Sequence, residues 1–215
     1  MIDLNKLNPE QKQAVLTTEG PLLILAGAGS GKTRVLTYRA AYLLEKGVPP
    51  WAILAITFTN KAAREMRERI NRLAGEAADD MWVMTFHALS ARILRRDIEK
   101  LGYKREFSIY DDDDQMTLIK RILKKLDISD KSYPPRAVKS VISDAKNHML
   151  SPEEWLKDNP DFRSKPYYRA YCEYEKELKE NNALDFDDLI LKTLELLTEH
   201  PPVLEVYRRK FSYIM

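Results

Sequence analysis

Leu22-Leu23-Ile24-Leu25-Ala26-Gly27-Ala28-Gly29-Ser30-Gly31-Lys32-Thr33-Arg34 is the stretch whose reading decides the fold. An apolar run of strand length, Leu22 to Ala26, passes into a glycine-rich turn, and beyond it Leu36, Ala40 and Leu43 share one helical face. A turn between a buried strand and a helix aims several backbone N–H groups at one point, and the helix dipole adds partial positive charge there. Phosphate oxygens are the matching ligand. Gly27, Gly29 and Gly31 let the backbone curl around the anion, with Ala28 and Ser30 between them; Lys32 is placed for the β- and γ-phosphates, and Thr33 offers its hydroxyl to Mg2+. Ala26 stands where the strict G-x-x-x-x-G-K-[ST] pattern has glycine, and alanine is small enough to be tolerated. The expected ligand is ATP with magnesium. A guanine-specific loop is normally accompanied by Asn-Lys-x-Asp after a strand, and Asn60-Lys61-Ala62-Ala63 lacks that aspartate.

Two further apolar runs of strand length follow, Ile53 to Phe58 and Met81 to Phe86, separated by a helical period in which Ala62, Met66, Ile70 and Leu73 share a face. Gly47 ends the preceding helix and Pro49-Pro50 keeps it from restarting. Strand–helix alternation implies an α/β fold with a parallel sheet, right-handed crossovers and helices on both faces. From about Lys104 to about Asn182 helical periods take over, with start signals at Asp111 to Asp114 and at Ser151-Pro152-Glu153-Glu154. Helices are expected from about Asp185 to Thr198 and after Pro202, and the chain closes on Phe211-Ser212-Tyr213-Ile214-Met215, which reads as a strand.

The 215 residues are 44% hydrophobic, enough for a core, and 35 Lys+Arg against 33 Asp+Glu leave a net charge of +2, so a polyanion surface requires local segregation of charge. Between 120 and 146, Lys120, Arg121, Lys124, Lys125, Lys131, Arg136, Lys139 and Lys146 face only Asp127, Asp130 and Asp144: either a basic DNA-facing surface or a solvated helix face. Cys172 is the only cysteine, which excludes an internal disulfide framework and fits a reducing compartment, the cytoplasm by default. No apolar stretch has the length of a membrane span, and the amino terminus lacks the pattern of a signal peptide. No membrane partner is expected.

Hydrolysis would also require an apolar strand ending in aspartate to hold magnesium. Phe107-Ser108-Ile109-Tyr110-Asp111-Asp112 imitates one, yet reads better as a strand feeding an aspartate-capped helix; the strand at Phe211 is the better candidate, and the sequence stops before an acidic end. Asp185, Asp187 and Asp188 suit a first helical turn better than a metal-dependent nuclease site, and His148 and His200 show no ligand spacing. Asn8-Pro9-Glu10-Gln11 has two readings, a capped helix start or a glutamine amide that pairs with the adenine edge. Taken alone, Phe58 and Phe86 would be core residues.

Together, Leu7 to Gln11 (a Q motif), Ala26 to Thr33 (motif I), Thr57-Phe58-Thr59-Asn60-Lys61-Ala62-Ala63 (motif Ia) and Thr85-Phe86-His87 resemble, in order and spacing, the UvrD/Rep/PcrA helicases of superfamily 1. The resemblance covers the whole chain and includes Leu184-Asp185-Phe186-Asp187-Asp188-Leu189, where that family returns from its inserted subdomain to the motor core. It implies a P-loop, RecA-like motor subdomain 1A over 1–104, a helical insert 1B over 105–184, and a return to 1A over 185–215 that ends before the Walker B acids. It makes Gln11 an adenine contact, Arg34 a packing partner of the base, and Phe58, Thr59, Asn60, Lys61, Thr85, Phe86 and His87 contacts to single-stranded DNA. Aromatic faces stack on bases of any sequence while lysine and amide donors hold phosphates. The implied activity is ATP-driven 3′ to 5′ translocation on single-stranded DNA with unwinding at single–double-strand junctions. The remainder of the helicase polypeptide, including the second motor subdomain, is an implied partner. This chain alone is expected to bind ATP without hydrolysing it. The alternatives are a non-catalytic nucleotide- and DNA-binding module and, more remotely, a metabolic P-loop kinase, for which no acceptor site is visible.

Overall fold

A computed structural model describes residues 2–75 and 79–215. In chain order its main elements are α1 (Pro9–Leu16), α2 (Lys32–Glu45), β1 (Ile53–Thr57), α3 (Asn60–Ala74), β2 (Trp82–Thr85), α4 (Phe86–Asp97), β3 (Ser108–Ile109), α5 (Asp112–Lys125), α6 (Pro135–Asn147), α7 (Pro152–Asp158), α8 (Lys165–Glu180), β4 (Ala183–Leu184), α9 (Phe186–Glu199), α10 (Pro201–Lys210) and β5 (Tyr213–Ile214). Two compact units divide the chain: one runs through Leu89 and resumes at Leu204–Met215, and the other is Ser90–Val203.

The first unit is built on a parallel sheet of order β2-β1-β5, flanked by helices. Leu54 pairs with Trp82 and Thr57 with Thr85, so β1 and β2 end at the same level. The carboxyl-terminal residues close the other edge of β1, Ile56 N–H donating to Met215 O at 2.8 Å and Met215 N–H to Leu54 O at 2.9 Å. The strands are short, β1 and β2 are mostly buried, and α2 and α3 cover them with the faces the sequence marks: Ala40, Leu43, Met66 and Ile70 pack with Ile53, Ala55 and Val83 in one core cluster. Gly47 ends α2 as its spacing requires, at φ +87°, with its N–H on Leu44 O and the Val48 N–H on Leu43 O.

One expected strand is absent. Residues 21–27 join no ladder, and Leu23 and Leu25 are 81% and 85% exposed. An apolar run becomes a buried strand only where a neighbour takes its N–H and C=O groups. Neither outer strand of the sheet, β2 or β5, nor any other described segment pairs with 21–27. The glycine-rich turn therefore follows an unpaired segment here, rather than a sheet strand.

The second unit is helical around a core of α5, α6 and α8 that includes Leu118, Ile122, Val138, Ile142, Tyr174 and Leu178. It also holds the short parallel pair β3–β4, Ser108 N–H donating to Asn182 O at 3.0 Å and Tyr110 N–H to Leu184 O at 2.8 Å. That pair leads directly into α5, as expected of an aspartate-capped helix: Asp111 accepts from the N–H groups of Asp113 and Asp114, while Asp114 accepts from the Asp111 N–H. Ser151 with Glu154 and Asp185 with Asp188 close equivalent boxes on α7 and α9.

Candidate nucleotide and nucleic-acid site

Two glycines give the turn its shape. Gly29 and Gly31 have φ of +77° and +89°, the left-handed region where a side chain is disfavoured. Gly31 is the N-cap of α2 and no side chain caps that end, so the first-turn N–H groups keep no side-chain acceptor. Residues 26–30 and Lys32 to Arg34 are exposed. The Ser30 hydroxyl donates to Gly27 O at 2.7 Å, and the Lys32 ammonium donates to Ala26 O and Gly27 O, both at 2.7 Å. A Cβ at Gly27 or Gly29 would meet no atom within 4 Å, so the space above the turn is open, as an approaching phosphate needs. Backbone donors, a helix amino end, and an ammonium at the mouth of the turn fit a polyphosphate. Thr33 is exposed at the start of α2, and no group of three or more His, Cys, Asp or Glu side chains among the described residues could by itself hold a metal ion.

Gln11 fills the first of the two roles read from its sequence context, the capped helix start. Its Oε1 accepts from the Asn8 N–H at 3.2 Å, and Asn8 Oδ1 accepts from the Gln11 N–H at 2.8 Å, completing the capping box of α1. Its Nε2 donates to Ser30 O at 2.9 Å, which fastens α1 to the turn and leaves one amide hydrogen free for a base edge. Arg34 donates to Lys6 O at 2.8 Å, and its guanidinium lies 5.7 Å from the centre of the Tyr38 ring.

Because β1 and β2 are parallel and in register, the residues after each strand emerge at one edge of the sheet. Phe58 and Phe86 meet there with ring centres 5.7 Å apart at 47°. Phe58 is 89% exposed and Phe86 43%, so neither is a core residue, as their position at strand ends would suggest if read alone. Thr59 caps α3 by accepting from the Ala62 N–H, and the Thr85 hydroxyl accepts from the Ala88 N–H in the first turn of α4. Asn60 and Lys61 are exposed on the first turn of α3, and His87 is half-buried beside Phe86. Thr33 of the phosphate turn and Thr57, Phe58 and Thr59 line one concavity of about 370 Å3. The two groups of candidate residues therefore share a surface.

Half of the eight cations of the basic run from 120 to 146 are held in ion pairs. Arg121 and Lys125 bind Glu177 and Glu173, Lys139 binds Asp112, and Lys146 is only 2% exposed. The Lys146 ammonium donates to Asp185 Oδ2 at 2.8 Å and Asp188 Oδ1 at 2.7 Å, and Glu175 Oε1 lies 2.8 Å away, off the hydrogen-bond direction. Tyr174 donates its hydroxyl to Asp185 at 3.0 Å. Burial, reinforced by Asp185 and Glu175, pushes the Asp188 carboxyl up to about 7 against the pull of Lys146. The ammonium itself is held well above its ordinary value by Asp188, Glu175 and Asp185, which outweigh its burial. Either reading of that run would have exposed Lys146; a lysine facing carboxylates 39 and 42 residues later leaves no local signal. On α3, Arg69 pairs with Glu65 at 3.8 Å, whereas Arg72 bonds the Glu68 carbonyl.

A parallel α/β unit whose glycine-rich turn sets a lysine at the amino end of a helix is of the P-loop class. The chain belongs to the UvrD/REP helicase N-terminal domain family, whose model matches residues 7–215. It is 54% identical over 212 residues to the ATP-dependent DNA helicase PcrA of Bacillus subtilis, 52% to that of Staphylococcus aureus and 51% to that of Staphylococcus epidermidis. In each case the match covers 98% of this chain and 29% of the relative, so the chain spans under a third of the length of these proteins.

Proposed function

We propose that this chain is the nucleotide-binding part of an ATP-dependent DNA helicase that moves 3′ to 5′ on single-stranded DNA. The observation that carries this reading is the uncapped amino end of α2 beneath the Gly29–Gly31 turn, with the Lys32 ammonium at its mouth. In this proposal the amides of residues 27–33 and Lys32 hold the triphosphate, Thr33 holds Mg2+, and Gln11 with Arg34 meets the adenine. Magnesium neutralises phosphate charge and polarises the γ-phosphate when bound. The exposed Phe58–Phe86 pair stacks on bases while Thr59, Asn60, Lys61, Thr85 and His87 line the strand path. The concavity shared by Thr33 and Phe58 gives a short physical route between nucleotide and strand.

The helicase activity belongs, in this proposal, to a longer polypeptide like the relatives, with a motor subdomain over 1–104 and 185–215, an insert over 105–184, a second motor subdomain elsewhere in the protein, and a cytoplasmic setting. Among the described residues no helix is long and apolar enough to cross a membrane. In this proposal the chain by itself binds Mg·ATP without appreciable turnover. The test is titration of the purified chain with Mg·ATP and with a fluorescent oligo-dT. Saturable binding of both, with turnover no higher than that of Lys32→Ala, is expected. Failure to bind Mg·ATP at millimolar concentration overturns the nucleotide role, and failure to bind oligo-dT overturns the DNA role.

A further inference from the structure

Arg39 is buried to 8% exposure on α2, two turns beyond the phosphate turn, and makes no ion pair with a carboxylate among the described residues. Its guanidinium instead gathers backbone carbonyls: NH1 donates to Ala14 O at 2.9 Å and to Thr17 O, and NH2 donates to Thr18 O at 3.0 Å. These are the last carbonyls of α1 and the turn after it, the negative end of that helix dipole. Glu19, whose charge acts on Arg39, accepts instead from the Tyr213 hydroxyl at 2.8 Å. At its other end α1 is tied to the phosphate turn by Gln11 Nε2 on Ser30 O, and between the ties Val15 packs with Val35 and Tyr38. An eight-residue helix is too short to hold its own position in water. Its placement along α2 therefore rests on these contacts.

We propose that Arg39 is a positioning residue for the nucleotide site: by clamping the carboxyl end of α1 onto α2, it holds Gln11 at the phosphate turn and so sets recognition of the base. This rests on the nucleotide-binding reading given above. The phosphate cradle is built by the turn and the first residues of α2 and meets the clamped helix only through Ser30 O, whereas Gln11 is carried on that helix. Loss of the clamp thus weakens base recognition while leaving triphosphate binding in place. Lysine keeps the charge at Arg39 but has one nitrogen and cannot span three carbonyls.

The experiment measures dissociation constants for Mg·ATP and for Mg·triphosphate on the wild-type chain, Arg39→Lys, Arg39→Met, Gln11→Ala and the Arg39→Lys/Gln11→Ala double variant, with circular dichroism as the folding control. The expected result is a preference for ATP over triphosphate that falls at least about fivefold in both Arg39 variants, the weight of one net hydrogen bond. Triphosphate affinity should stay within about twofold, and Arg39→Lys should add nothing once Gln11 is alanine. An unchanged preference, equal weakening of both ligands, or unfolding of both Arg39 variants would each overturn the positioning role. If the wild-type chain bound neither ligand, the nucleotide reading itself would fall and this inference with it.

Discussion

Replacing Gly31 with alanine tests the phosphate turn with a single methyl group. The new Cβ would sit 2.8 Å from Gln11 Nε2 on a backbone with φ of +89°. The left-handed conformation costs a residue with a Cβ about 1–2 kcal/mol. The clash is relieved by swinging the Gln11 amide, the free end of a flexible side chain, which forfeits its bond to Ser30 O and adds about 1 kcal/mol. The sum, about 2–3 kcal/mol, should appear as a loss of amide hydrogen-exchange protection in α2 of roughly 30- to 150-fold. In a Gln11→Ala background the clash is gone, and only the backbone part, about 1–2 kcal/mol, should remain. Unchanged protection in Gly31→Ala, or the same penalty with and without Gln11, would show that the turn does not depend on the contact described.

Phe58→Ala should weaken oligo-dT binding by about 1–3 kcal/mol, the range for one base–aromatic stack, without changing thermal stability or Mg·ATP affinity, because the ring is 89% exposed and touches Phe86. Lys146→Met strands Asp185, Asp188 and Glu175 without their cation and should cost about 3–5 kcal/mol by chemical denaturation. Asp188 holds its proton to about pH 7 when folded but only to its ordinary 3.8 when unfolded. Its contribution is therefore fully present below the unfolded value and is lost as pH rises towards 7. The stability of wild type relative to Asp188→Asn should decline between about pH 4 and about pH 7, and a flat or rising difference in thermal midpoints would refute the assignment.

Local chemistry was legible in the sequence and pairing at a distance was not. The caps at Asn8, Asp111, Ser151 and Asp185 and the stop at Gly47 formed as expected, because each is settled within a few residues. The run Leu22 to Ala26 has a strand's composition, but its ladder depends on which segment lies alongside it, and composition is silent on that. Phe58 and Phe86 look like core residues by type; only the parallel register of β1 and β2 brings both rings to an open edge. Four of the cations from 120 to 146 could not be told from free surface charges because their partners, Asp112, Glu173, Glu177 and Asp188 among them, lie outside that window. Arg39 gave no signal at all, since its partners are carbonyls, which every residue possesses.

The most direct measurement of the central claim is the amide NMR spectrum of the chain titrated with Mg·ATP, alongside Lys32→Ala. Saturable shifts concentrated in the amides of residues 27–33, lost or displaced to much higher nucleotide concentration in the variant, are the expected result. Shifts that centre elsewhere, or that persist unchanged without the Lys32 ammonium, would contradict it.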